Sequence, residues 1–185
     1  TLFNTRNSTK TNQSALFIFL NKTCFNGLYR VNRKNHYNVP IGRSASLPKI
    51  CNSDNLKTVS DILQRTIILN GDYTETLKYA NNNALFYFDP PYKPLSETSS
   101  FNSYAKDGFD DAEQIRLKEF CETLNNMGHE WILSNSDLKN VNPNDNFFDD
   151  LYEEFNIFRV NARRSINSNA NKRGNLTELL ITNLS

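Results

Sequence analysis

Five apolar residues, Ala84-Leu85-Phe86-Tyr87-Phe88, run directly into Asp89-Pro90-Pro91-Tyr92. Consecutive prolines neither extend a helix nor donate to a sheet ladder, so the apolar run must stop there. A run this short, rich in aromatics and abruptly ended, reads as a buried β-strand. Each proline fixes its own φ and pushes the residue before it into extended backbone, which holds Asp89 and Pro90 extended. In open α/β sheets, ligands bind beyond the carboxyl ends of the strands, and Asp89 falls at that place.

The rest of the chain supplies further strands and helices. Thr66-Ile67-Ile68-Leu69 predicts a buried strand ending in the turn Asn70-Gly71-Asp72, and residues 74–80 a short helix. Asp110 caps a helix, with Glu113 three positions on as in a capping box. The core stripe of that helix is Leu117, Phe120, Cys121 and Leu124, and Gly128 ends it. Trp131-Ile132-Leu133 is the next strand, closing on Ser134-Asn135-Ser136. A helix near 146–154 and strands at 157–160 and 177–182 follow, with polar loops at 93–109 and 161–175. Strands alternating with helices predict an α/β sheet over residues 66–185.

Residues 1–65 do not share that rhythm and read as a separate module. Residues 4–14 and 44–54 read as loops. Residues 15–20 are apolar all round and predict part of a buried helix, and Leu56, Val59 and Leu63 mark a short helix. Asn26-Gly27 signals a turn. Leu28–Val31 and His36–Val39 flank the polar turn Arg33-Lys34-Asn35, which predicts a β-hairpin with a basic tip.

The net charge of +1 is unevenly laid out: residues 1–57 carry +8, residues 89–154 carry −10 and residues 155–185 carry +4. A basic first third and a basic tail around an acidic middle predict a polyanion met by some surfaces only. No apolar run reaches the roughly 18–20 residues of a membrane helix. Cys24, Cys51 and Cys121 are odd in number, scattered and without metal-ligand spacing, and read as reduced thiols of a cytoplasmic protein. His36 and His129 show no metal or triad pattern.

At the strand end, the carboxylate of Asp89 and the carbonyl of Pro90 are placed to converge as two acceptors. Two acceptors suit an exocyclic amine, which offers two N–H donors, and Tyr92 offers a flat ring for a base to stack on. Polarising both N–H bonds of an adenine amine helps its nitrogen pyramidalise and attack an electrophilic methyl group. The alternative is that the tetrapeptide is only a rigid strand-ending turn.

ALFYFDPPY followed by KPLSETSSFNSY, with FNGLYRVNRKNHYNVPIGR upstream, resembles the Dam-like family of N6-adenine DNA methyltransferases, most of all its restriction-associated, GATC-modifying members. The resemblance spans about residues 15–183. It implies the C-terminal part of a Rossmann-like methyltransferase sheet with an α-helical and β-hairpin target-recognition module. It implies S-adenosylmethionine as cofactor, double-stranded DNA as partner and a cognate restriction endonuclease acting on the same site. Asp89, Pro90, Pro91 and Tyr92 match the catalytic tetrapeptide around a flipped adenine. Asp72, Tyr73 and Asp89 match cofactor contacts, Asp72 on the cofactor's adenine amine; the bland alternative for Asp72 is a capped turn. Phe25, Asn26, Leu28, Arg30, Asn32, Pro40 and Arg43 fall on the DNA-recognition loop and hairpin. Arg30 suits bidentate readout of guanine, Phe25 a wedge in the base stack, and Lys22, Arg33 and Lys34 phosphate contacts. The alternative for this segment is a solvated basic hairpin. Ser96, Thr98, Phe101 and Tyr104, and the Arg163-Arg164-Ser165 segment, match loops near DNA.

The family's Phe-x-Gly-x-Gly cofactor loop has no counterpart, because no two glycines here lie within ten residues of each other. The chain therefore resembles the C-terminal two-thirds of such an enzyme and is expected to bind S-adenosylmethionine weakly or not at all alone. Two other readings stand beside direct methyl transfer to DNA adenine: a related methyltransferase acting on another amine, and a DNA-binding remnant without catalysis.

Overall fold

The computed structural model describes residues 9–43, 50–95, 109–163 and 175–185. The chain divides into two compact units, residues 1–69 and 70–185.

The second unit holds a mixed four-stranded sheet in the order β1-β2-β4-β3, with β1 Leu85–Phe88, β2 Glu130–Ser136, β3 Asn156–Arg163 and β4 Asn175–Thr182. β1 and β2 are parallel, with Phe86 opposite Trp131 and Phe88 opposite Leu133. β4 runs antiparallel to both β2 and β3. Side chains alternate across a sheet, so Phe86, Phe88, Trp131, Leu133, Leu179 and Ile181 share one face, and all are buried. The opposite face carries Leu85, Tyr87, Phe158 and Val160, each 44–61% exposed.

The helix packed in the core cluster with the buried face spans Asp111–Asn126. Asp110 caps it by accepting from the Glu113 N–H at 3.0 Å. The Glu113 carboxylate turns to Arg116, at 2.7 Å from Nη2. Gln114, Leu117, Phe120, Cys121 and Leu124 form the buried stripe. Each apolar side chain so covered contributes about 1.5–3 kcal/mol. Gly128 ends the helix at φ +80°, a left-handed conformation glycine adopts freely. A one-turn helix at Phe147–Leu151 adds Phe148 to the same core. A 3-10 segment at Tyr73–Tyr79 precedes β1.

The first unit contains α1 (Lys10–Thr23) and α2 (Ser53–Leu63). Between them, single antiparallel bridges join Cys24 to Ile41 and Val31 to Tyr37. The hairpin expected over 28–39 is thus reduced to one bridge around a tight turn. Asn32 Oδ1 receives the N–H groups of Lys34 and His36 at 2.9 and 3.0 Å, and Asn35 sits at φ +57°.

Several sequence expectations are corrected here. The helix begins at Lys10, so residues 10–14 are not a loop. Residues 15–20 are helical but unburied: Phe17, Ile18 and Phe19 are 40–44% exposed. Residues 66–69 form no strand; Ile67 and Ile68 are 64% and 73% exposed, with no neighbouring strand among the described residues. An apolar run signals a tendency to be buried but does not supply the ladder partner a strand needs. No described helix is long and apolar enough to cross a membrane.

Candidate functional site

The parallel register that sets Phe88 opposite Leu133 brings the next residues, Asp89 and Ser134, side by side at the carboxyl ends of β1 and β2. Asp89 is exposed, and its Oδ1 accepts the Ser134 hydroxyl at 3.1 Å. Ser134 Oγ also receives the Tyr87 phenol at 3.3 Å. Tyr92 is half-buried. Burial raises its phenol pKa, and a hydrogen bond donated by Ser134 pulls the other way.

Below the tetrapeptide lies a buried set of amides and a hydroxyl. Gln114 Nε2 donates to the Pro91 carbonyl at 3.3 Å, and Asn135 Nδ2 donates to Gln114 Oε1 at 3.1 Å. Asn135 Oδ1 accepts the Lys93 N–H at 3.1 Å, while Ser136 Oγ donates to the Lys93 carbonyl at 2.6 Å. Gln114 and Asn135 are fully buried. Buried amides satisfied on both sides hold a backbone in one geometry, so residues 91–93 have a fixed path. Lys93 Nζ stands 4.4 Å over the Phe147 ring and pairs with Asp111.

A cavity of about 530 Å³ runs along β1 and its carboxyl end. Tyr73, Tyr79, Phe86, Phe88, Asp89 and Phe109 line it, with Pro90 and Pro91 at the same end. The Tyr73 hydroxyl is buried and has no hydrogen-bond partner among the described residues. Burial pushes its pKa up to about 12, so the phenol keeps its proton.

Asp72 is not among the cavity-lining residues. It caps the 3-10 segment, accepting from the Thr74 N–H at 3.0 Å and the Thr74 hydroxyl at 2.6 Å. The Arg116 fork grips both its oxygens, at 3.3 and 2.8 Å. That grip, with Thr74, holds the carboxyl well below the usual carboxylate range. Arg116 also lies 4.5 Å over the Tyr73 ring, so one guanidinium ties the capped turn to the cavity wall.

In the first unit, Phe25, Asn26, Leu28, Arg30, Asn32, Pro40 and Arg43 are all exposed. Behind them Tyr37 is buried: its hydroxyl donates to the Leu28 carbonyl at 3.1 Å, and its ring meets Tyr29 at 5.9 Å. Arg30 is braced by Asn38, its Nε 2.9 Å from Oδ1 and its Nη2 3.0 Å from the main-chain carbonyl. Asn26 and Gly27 both have positive φ, 53° and 63°, which turns the chain out from the end of α1.

Asp89, Pro90, Pro91 and Tyr73 thus meet at one cavity, and Tyr92 reaches Ser134 beside it. Asp72 faces Arg116 instead. Ser96, Thr98, Phe101, Tyr104, Arg164, Ser165 and the side chain of Arg163 lie outside the described residues. Sequence reasoning did not pick out Gln114, Arg116, Ser134 or Asn135. The signals were a glutamine inside an apolar helix stripe and a Ser-Asn-Ser triplet ending an apolar strand.

Residues 1–166 match the family model of the D12 class N6 adenine-specific DNA methyltransferases. The chain is 51% identical over 170 residues to the type II methyltransferase M.MjaIII of Methanocaldococcus jannaschii, covering 91% of this chain and 56% of that protein. It is 38% identical to the type II methyltransferase M1.LlaDCHI of Lactococcus lactis subsp. cremoris, covering 92% and 58%. It is 33% identical to the DNA adenine methylase of Haemophilus influenzae, covering 91% and 56%. It therefore spans little more than half the length of these relatives. On a family match that runs through both units, the chain belongs to the D12 class of N6 adenine-specific DNA methyltransferases.

Proposed function

We propose that this chain is the target-recognition and catalytic part of an enzyme that transfers a methyl group from S-adenosylmethionine to N6 of an adenine flipped out of double-stranded DNA. The expected site is GATC. The expected setting is a cytoplasmic Dam-like or restriction-modification system with an endonuclease acting on the same sequence. In this reading the sheet is the C-terminal part of a Rossmann-like methyltransferase core, and residues 1–65 form the recognition module. The observation that carries it is the position of Asp89: exposed at a strand's carboxyl end, opening on a ring-lined cavity, with one oxygen held by Ser134.

The cavity fits the purine end of the cofactor. Its aromatic lining suits a flat ring, its volume lies within the roughly 300–1,000 Å³ of small-ligand sites, and the Tyr73 hydroxyl is an unpaired buried group in its wall. Tyr73 would hold that end, its ring fixed by the Arg116 that also pairs with Asp72. When bound, the cofactor supplies an electrophilic methyl on a sulfonium. Asp89 and the Pro90 carbonyl accept the two N–H bonds of the adenine amine and orient its lone pair, and Tyr92 stacks on the base. The proton that the amine gives up on methylation would pass to Asp89 or to water. In the first unit, Arg30 reads guanine while Lys22, Arg33 and Lys34 hold phosphates.

The test incubates the chain with labelled S-adenosylmethionine and duplexes with or without GATC. Label on N6 of the GATC duplex supports the reading, and Asp89→Ala should abolish it with duplex affinity nearly unchanged. Equal loss of both would make Asp89 structural. The absence of closely spaced glycines favours a second reading, a DNA-binding fragment that cannot hold cofactor alone. Calorimetry giving micromolar cofactor affinity would overturn that second reading.

A further inference from the structure

We propose that Ser134 is a positioning residue for Asp89, locking one carboxylate oxygen so that the other is turned to the target amine. The proposal rests on the reading that Asp89 binds that amine. A carboxylate ends in a broad, soft torsion, and an exposed one such as Asp89 would otherwise sample many orientations. Ser134 is 7% exposed and carries one hydroxyl proton. The Tyr87 hydroxyl donates to its oxygen at 3.3 Å and so occupies an acceptor site of Ser134. The serine's own proton is left to donate, and Asp89 Oδ1 at 3.1 Å is nearer to it than the Phe88 carbonyl at 3.4 Å. A hydrogen bond to an ionised oxygen is also the stronger kind.

The arrangement commits Oδ1 and leaves Oδ2 as the oxygen that meets an N–H. Small errors in the angle of such groups are costly to reactions that depend on near-attack geometry. The buried neighbours Asn135 and Gln114 set the backbone, but neither touches the Asp89 carboxylate in the described hydrogen bonds; Ser134 does.

The experiment needs neither cofactor nor turnover. The full 185-residue chain is titrated by fluorescence anisotropy with two GATC duplexes. In both, the target position faces an abasic site to ease extrusion. One carries adenine there and the other purine, which lacks the 6-amine. The wild-type chain should prefer adenine by about tenfold, the size of one hydrogen bond to a charged group. Asp89→Ala should remove most of the preference, the Pro90 carbonyl still accepting one N–H. Ser134→Ala should bring it within about twofold of unity while affinity for the purine duplex and the melting temperature stay put, and Ser134→Thr should restore it. A purely structural serine would lower the melting temperature or both affinities together. If Ser134→Ala does not fold, Ser134→Cys, similar in size but a weak donor, is read in its place and should lose most of the preference. A wild-type preference that survives in the folded Ala or Cys variant overturns the Ser134 proposal alone. No preference in the wild-type chain overturns the reading of Asp89 on which it rests.

Discussion

Gln114 and Pro91 are joined by a hydrogen bond, amide nitrogen to main-chain carbonyl at 3.3 Å, that reaches from the inner stripe of a helix to the middle of the tetrapeptide. The glutamine is fully buried, and its own carbonyl is filled by Asn135. Replacing it with leucine keeps the volume but strands the buried Asn135 amide and takes the donor from the part-buried Pro91 carbonyl. The stranded amide costs about 1–3 kcal/mol. Gln114→Leu should therefore lower the urea midpoint of unfolding clearly, and amide exchange at Lys93 should accelerate. An unchanged midpoint would mean that the network is not closed in solution.

Arg30 stands exposed with Nε and Nη2 braced on Asn38. A brace of this kind lowers the entropy an arginine loses on meeting a base, and guanidinium donors remain for guanine O6 and N7. Arg30→Ala should cost about 1–3 kcal/mol of duplex affinity and relax discrimination at one base pair. Asn38→Ala should lose part of that without moving the specificity to another base. Binding to a panel of singly altered GATC duplexes decides: a uniform loss would make Arg30 a phosphate contact.

The bridge between Cys24 and Ile41 depends on Gly42. A methyl group there would stand 2.8 Å from the Cys24 carbonyl oxygen, closer than real contacts allow. Overpacking against backbone costs about 1–3 kcal/mol. Gly42→Ala should therefore spread the bridge, weaken duplex binding and lower the melting temperature of the transition reported by Tyr29 and Tyr37. If duplex affinity is unchanged, the exposed residues 25–43 do not form the DNA-binding surface.

Much of the second unit is legible in the sequence because its signals are local. The end of β1 is dictated by Pro90 and Pro91, and the start of the long helix by the Asp110 side chain. The helix stripe from Leu117 to Leu124 is a spacing that has only one use. What fails is whatever depends on a partner far along the chain. Residues 66–69 and the helix over 15–20 are as apolar as β1, yet Ile68 is 73% exposed and Phe17 44%, because hydrophobicity says nothing about which surface is there to receive it. The candidate site divides the same way. Asp89 and Tyr92 stand out by themselves, whereas Ser134 becomes visible only once the parallel register sets residues 45 positions apart beside each other. Asp72 was legible as a functional carboxylate or as a cap, and its bonds to Thr74 are those of a cap.

The pairing of Asp72 with Arg116 carries a pH signature. The bidentate grip of Arg116, aided by Thr74, stabilises the ionised carboxylate, so the folded-state pKa lies below that of the unfolded chain. For a lowered carboxyl, the linked stability is fully present above the unfolded value, roughly 3.9, and is lost as pH falls toward the folded value. The side chains are 43% and 39% exposed, so solvent and salt screen much of the interaction. Wild-type and Asp72→Asn chains should therefore differ in urea midpoint by a constant amount from pH 7 down to about 5, with the gap closing below about 4. Arg116→Leu should remove the same acid-dependent portion, and 0.5 M NaCl should shrink it in the wild type. A gap that persists unchanged into acid would show that Asp72 acts only as a neutral cap through Thr74, with no part of its stabilising effect coming from the guanidinium.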